Sequence, residues 1–289
     1  MSDEPNPTNQ PNPPPTLTQT LLTSLSTIVG PLPIPTISHS LLHDPTSHTS
    51  ISTHLRLPSS GSGSDDLCRW LYDAFQSADP HLRLLVLRSL PVLSAVYLSR
   101  TAASNAGFEA VLLAIYAHEA ESRAGQPETV SVPDINHSSL YHETRPGPNK
   151  NNNNMSTELN RAVVSPALDP CGTVRATRRA RIVGVALELY YSRISSMPVF
   201  SKIEFCESCA VWPAHWELLQ PTLWILAHCL FGPAADSDGL RAAAGRAVER
   251  LYERASHEVN PQAMLATRSL LRLVELGDGV APPPPQVFT

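Results

Sequence analysis

Residues Leu82–Leu98 read LRLLVLRSLPVLSAVYL, and the fold class turns on what this run becomes. Ten aliphatic side chains fall on nearly every side of a 3.6-residue period, the pattern of a helix enclosed by other helices. The alternative is a membrane span, and at 17 residues the run sits at the short limit for crossing a bilayer. Arg83 and Arg88 argue against that, because each would cost several kcal/mol at depth. Pro91 lacks the N–H that a continuing helix needs, so it should kink the run or end it near Leu90. The reading is a buried central helix, and a helix buried all round requires a shell of further helices.

Those helices can be read outward from it. Asp79-Pro80 supplies an N-cap and a first helical residue immediately upstream. Before that, Asp65 or Asp66 can cap a helix whose face carries Leu67, Trp70, Leu71, Ala74, Phe75 and Ala78. Downstream, Phe108, Val111, Leu112, Ile115 and Tyr116 mark a helix over 106–120. Helical spacing resumes over 173–195, 199–211, 213–231, 237–257 and 261–276. The last is punctuated by Asn260, Pro261 and Gly277. The expected fold is all-α, a single array of roughly eight to ten packed helices. An aliphatic-Tyr pair recurs at Tyr72, Tyr116, Tyr190 and Tyr252 without a fixed period, so it reads as aromatic anchoring and not as a repeat.

Three stretches stand apart. Residues 1–64 hold 11 prolines and 22 Ser or Thr but only four charged residues. Such a composition buries too little apolar surface to offset its ordering entropy. It is expected to be mostly disordered, with room for a short helix over 16–29, and residues 39–64 are expected to be mobile. Residues 125–143 are irregular, with an extended stretch at Thr129–Val132. Residues 144–160 hold Pro-Gly-Pro and the run Asn151–Asn154, a low-complexity loop expected to be disordered. The helical domain thus spans 65–280, and 281–289 form a Pro-rich tail.

Charge and cysteine usage narrow the function classes. The chain has 289 residues, a net charge of −5 and a pI near 6.1. Proteins that bind nucleic acid nonspecifically carry a basic excess, so that role is not expected. The opening MSDEPNPTNQPNPPP is acidic and Pro-rich, unlike a secretory leader. With an odd count of five cysteines and no such leader, a disulfide framework is not expected. Cys206-Glu-Ser-Cys209 has zinc-knuckle spacing, but His228 and Cys229 are adjacent and point about 100° apart on a helix, so no second ligand pair forms. Cysteine at these helical positions serves as a small hydrophobe. His118-Glu119 and His142-Glu143 do not extend to His-Glu-x-x-His. Gly61-Ser62-Gly63 lacks the strand–turn–helix setting of a nucleophile elbow. No catalytic, metal or cofactor site is therefore assigned, and no cofactor is expected. Arg175, Arg178, Arg179 and Arg181 are four arginines within seven residues of a charge-poor chain. They could contact an anionic lipid or phosphate, meet an acidic partner, or form an ordinary solvated face.

Three blocks together resemble the hyccin family. The first is Leu67–Phe75 followed by Leu82–Leu98, with Leu90-Pro91 and Tyr97-Leu98. The second is Phe108–Tyr116, with Glu109, Leu112, Leu113 and Tyr116, then Ser131–Pro133 and Ser139–Glu143, with Tyr141-His142-Glu143. The third is Arg181–Pro198, the Cys206/Cys209 helix and the closing helices over 247–276. The motif positions read as structural. The resemblance implies a non-catalytic accessory subunit of the complex of type III phosphatidylinositol 4-kinase alpha. Its implied partners are a tetratricopeptide-repeat scaffold, the kinase and a membrane anchor protein of the same complex. Localisation would be cytosol and plasma membrane, with membrane contact mainly indirect. The alternative is a helical anionic-lipid or phosphate-binding protein using the Arg175–Arg181 cluster.

Overall fold

The computed structural model describes residues 17–29, 38–100, 105–133, 159–170, 178–209, 216–235 and 239–277. Among them are twelve α-helices, one 3₁₀ turn and a single two-stranded sheet, so the fold is predominantly all-α. The chain divides into two compact units, residues Met1–Tyr116 with Ala176–Thr289, and Ala117–Arg175.

In the larger unit the N-terminal helices are α1 (Leu17–Val29), α2 (Ser38–Leu42), α3 (Pro45–Arg56), α4 (Asp66–Gln76), α5 (Pro80–Arg88) and α6 (Leu90–Ser99). Side-chain caps open three of them. Asp44 accepts from the N–H groups of Thr46 and Ser47, Asp65 from Leu67 and Cys68, and Asp79 from His81. Pro45 and Pro80 occupy the first turns, where a missing N–H costs nothing. The central run is split as Pro91 requires: α5 and α6 meet at a 45° bend. Leu82, Leu85, Val86, Leu87, Leu90 and Val92 are all buried. No single described helix is long and apolar enough to cross a membrane. The bent α5–α6 pair qualifies by length and composition alone, and most of its residues lie inside the helical array.

Part of the segment assigned to disorder from its composition is folded. Residues 38–56 form α2 and α3, and Leu41, Leu42, Ile51 and Leu55 are buried. Composition misleads here because Ser47 and Ser52, polar by type, are buried as well, each with a hydrogen-bond partner inside the fold. The helix allowed over 16–29 is α1, which packs on α4. There the Trp70 indole N–H donates to the Leu21 carbonyl at 2.7 Å. Residues 1–16 lie outside the described residues.

After Tyr116 the chain leaves this unit through the last turns of α7 (Ala106–Arg123). The first turns of α7 are held by the loop after α3. Gly107 N–H donates to the Gly61 carbonyl at 2.7 Å, and a Cβ on Gly107 would come within 2.5 Å of the Ser62 carbonyl oxygen. The smaller unit contains β1 (Glu128–Pro133) and β2 (Leu159–Ser165), paired antiparallel, so the extended stretch at 129–132 is a strand. Arg123 braces it, donating to Ser165 Oγ at 2.8 Å and pairing with Glu119 and Glu128. The Asn-rich run at 151–154 lies outside the described residues.

The C-terminal helices are α8 (Arg179–Ser192), α9 (Val199–Cys209), α10 (Trp216–Phe231), α11 (Leu240–His257) and α12 (Pro261–Gly277). Helix α6 packs on α8 and α9, α9 and α10 pack on α11, and α12 closes the array against α11 and α10. The twelve helices exceed the eight to ten expected because α2 and α3 are added and the central run divides. Leu98 was expected in the core but is only half-buried, near the end of α6.

Leu87→Ala should therefore destabilise the protein by about 2–5 kcal/mol, through lost transfer energy and the cavity left behind. Leu98→Ala should cost less, about 1 kcal/mol, in proportion to its partial burial. Urea unfolding of the two variants beside the parent protein checks both values.

Candidate functional site

Among the described residues, the arginines of the cluster do not share one exposed surface. Arg178 precedes α8 and is exposed, whereas Arg181 is buried. Arg179 turns inward: its guanidinium lies 4.2 Å from the Tyr97 ring centroid, and Nη1 donates to the Arg100 carbonyl at 2.9 Å. A guanidinium over an aromatic face is stabilised by the ring quadrupole, so a charged residue can serve as packing material. Arg175 lies outside the described residues. Among the other family-motif positions, Leu90, Pro91, Tyr97, Leu112 and Tyr116 are buried, while Leu98, Glu109 and Leu113 are half-buried. Tyr141, His142 and Glu143 lie outside the described residues.

Cys206 and Cys209 on α9 and Cys229 on α10 are buried together at one helix contact. Cys209 Sγ donates to the Cys206 carbonyl at 3.5 Å, and the Cys206 and Cys229 thiols share a hydrogen bond. That bond, together with burial, pushes the Cys206 thiol up, and burial does the same to Cys209. Thiols held this way are poor nucleophiles, since the thiolate is the reactive form. Among the described residues no group of three or more His, Cys, Asp and Glu side chains could hold a metal ion.

Two polar clusters that sequence reasoning missed organise the interior. Arg88, at the end of α5, is fully buried. Its Nη1 donates to the carbonyls of Leu41 at 2.7 Å and Leu42 at 3.0 Å, which end α2. Its own carbonyl accepts from Ser201 Oγ at 2.8 Å, and Ser201 is linked to the Tyr190 hydroxyl at 3.1 Å. Burial lowers the Arg88 pKa to about 10, with Asp44 opposing, so the side chain stays charged at neutral pH. The second cluster gathers on Glu204 of α9. His48 Nε2 lies 2.7 Å from its Oε2, Ser52 Oγ donates to the same oxygen at 3.1 Å, and Arg56 pairs with Oε1. His48, Ser52 and Arg56 are spaced four apart on α3, one face of a helix. That spacing was the available signal, and it is visible only once 45–56 is taken as helical. Burial alone would raise the Glu204 pKa, but the His48 hydrogen bond and the Arg56 charge outweigh it and hold the carboxyl below its ordinary value.

Both clusters join helices, and this is what their chemistry provides: α2 and α3 are tied to α5 and α9 through buried, oriented hydrogen bonds. Arg88→Ala should cost about 3 kcal/mol or more, because it strips a charged donor from two buried carbonyls and leaves a void. Denaturant unfolding reads this directly. The Glu204 contribution is complete above the ordinary carboxylate value of 4.5 and is lost as the pH falls through the lower folded value. The parent protein should thus lose stability on acidification below 4.5, and Glu204→Gln should flatten that part of the profile. Unfolding midpoints measured across this range in both proteins provide the comparison.

A family model described as Hyccin matches residues 33–215, which takes in α2 to α9 and both polar clusters. The match covers more than half of the chain, and the chain belongs to the hyccin family.

Proposed function

We propose that this hyccin-family member is a non-catalytic accessory subunit of a phosphatidylinositol 4-kinase alpha complex. In this role it binds a tetratricopeptide-repeat scaffold and helps to stabilise and localise the kinase at the plasma membrane. There it supports synthesis of phosphatidylinositol 4-phosphate. The observation that carries the reading is the family match over 33–215. The interior is consistent with it, because Arg88, Arg179 and Glu204 join one helix to another. A subunit of this kind gains stability from a partner that binds only its folded state. Its own affinity for a bilayer should be small, since stable anchoring generally takes two signals and the net charge is −5.

The lipid-binding alternative needs the arginines together at a surface. Arg179 and Arg181 are turned into the fold, which leaves Arg178 as the exposed member among the described three. A basic residue near an anionic membrane contributes about 1 kcal/mol, too little by itself to hold a protein there.

The tagged protein, imaged in cells, should reach the plasma membrane when the scaffold and the membrane anchor are present. In cells lacking the scaffold it should be cytosolic or lost. Persistent plasma-membrane signal without the scaffold, removed by Arg175→Gln with Arg178→Gln, would establish the direct lipid-binding reading instead.

A further inference from the structure

The chain keeps one lysine in its described interior. All but two of the 21 basic residues are arginine, and the other lysine, Lys150, lies outside the described residues. Lys202 is the fourth residue of α9 and is 3% exposed. Among the described residues its ammonium has neither a hydrogen-bond nor an ion-pair partner. Glu204, two residues along, turns to α3 and is held there by His48 and Arg56. The groups that interact with the Lys202 charge are the Cys229 thiol and His228, both near the end of α10, and no carboxylate is among them. The His228 carbonyl is already taken by the Gly232 N–H at 2.8 Å.

Arg88, Arg179 and Glu204 are each answered inside the fold, by carbonyls, by an aromatic ring with a carbonyl, and by three donors. Lys202 is not. An ion taken out of water without a counter-ion destabilises the folded state. Burial accordingly lowers the Lys202 pKa, and burial with the Lys202 charge lowers that of His228. The first turn of α9 adds to the conflict, because the positive end of a helix disfavours a cation and favours an anion. Composition does not account for the residue either. Arginine is the habitual cation of this chain, and lysine differs from it in presenting a compact point charge where arginine presents a planar fork.

The surface beside this pair is aromatic. His228 is half-buried, and Trp224 and Phe231 lie within about 60° of it on α10, at about 100° per residue. Phe231 is 46% exposed, and Tyr191 of α8 meets the half-buried Trp224 at a centroid distance of 5.5 Å. Gln220, exposed one turn before Trp224, is the polar end of the stripe. Tyrosine and tryptophan around a desolvated charge have the composition of an interface hot spot. We propose that Lys202 and His228 seat one carboxylate of a partner protein, an Asp or Glu flanked by apolar side chains that cover Trp224 and Phe231. A phosphate fits less well, since phosphate sites gather several N–H donors or an arginine fork, and Lys202 offers a single point charge. The inference rests on the accessory-subunit reading above and assigns to it a contact and the charge of the group that makes it.

The test uses the full chain with the tetratricopeptide-repeat scaffold, as parent and as Lys202→Met, which keeps the length of the side chain and removes the charge. Replacing a buried, uncompensated ion by an apolar group of similar volume is neutral or stabilising. The free variant should therefore melt no lower than the parent, while its scaffold affinity falls roughly 30-fold or more. A lysine that serves the fold alone gives the opposite pattern, so a variant that melts lower or fails to fold overturns the proposal. Equal scaffold binding by parent and variant overturns it too and leaves the accessory reading standing. A parent that does not bind the scaffold at all overturns both. Inorganic phosphate that raises the melting temperature of the parent but not of the variant, with equal scaffold binding, would identify a free anion as the occupant. Parent pelleting with phosphatidylserine vesicles, lost in a variant that keeps the scaffold, would identify a lipid surface. Either result overturns the proposal.

Discussion

One buried cation organises the N-terminal half. Arg88 is held by the carbonyls that end α2. Those carbonyls have no partners further along their own helix and carry the negative end of its dipole. A guanidinium presents several donors in a rigid fork, so a single side chain can satisfy Leu41 and Leu42 and reach Ser47. The bend between α5 and α6 puts this residue at a helix end, where its carbonyl can accept from Ser201 on α9. One residue thus joins α2, α5 and α9, and removing its side chain would strip the Leu42 carbonyl at the end of α2 of a charged donor.

Helix α9 is the second organiser, with a different chemistry on each side. Glu204 faces α3 and receives three donors. Cys206 and Cys209 face α10 and pack as small apolar groups. The polar side specifies which helix lies opposite, because a misplaced α3 would leave Glu204 buried and charged without donors. The apolar side supplies close packing but little direction.

The sequence revealed the structure where its signals are short-range. The caps Asp65, Asp79 and Asn260 and the break at Pro91 act within a few residues, and each was legible. Helices α2 and α3 were missed because their fit depends on distant residues. Ser52 finds its partner 152 positions away at Glu204, and the Arg88 contact to Leu41 spans 47. The inward turn of Arg179 was not legible, because charged residues default to the surface and no local pattern announces the Tyr97 ring beneath it.

The span between Arg88 and Ser201 also has a consequence in time. The two residues are 113 positions apart in the chain. At a synthesis rate of about 5–20 residues per second, roughly 6–23 s pass between their emergence from the ribosome. For most of that interval, from the completion of α6 at Ser99 until α8 begins at Arg179, α8 and α9, which cover α6, are not yet made. The nascent chain therefore leaves its most apolar segment uncovered before it can be enclosed, and its yield in a cell depends on what shields that segment during those seconds.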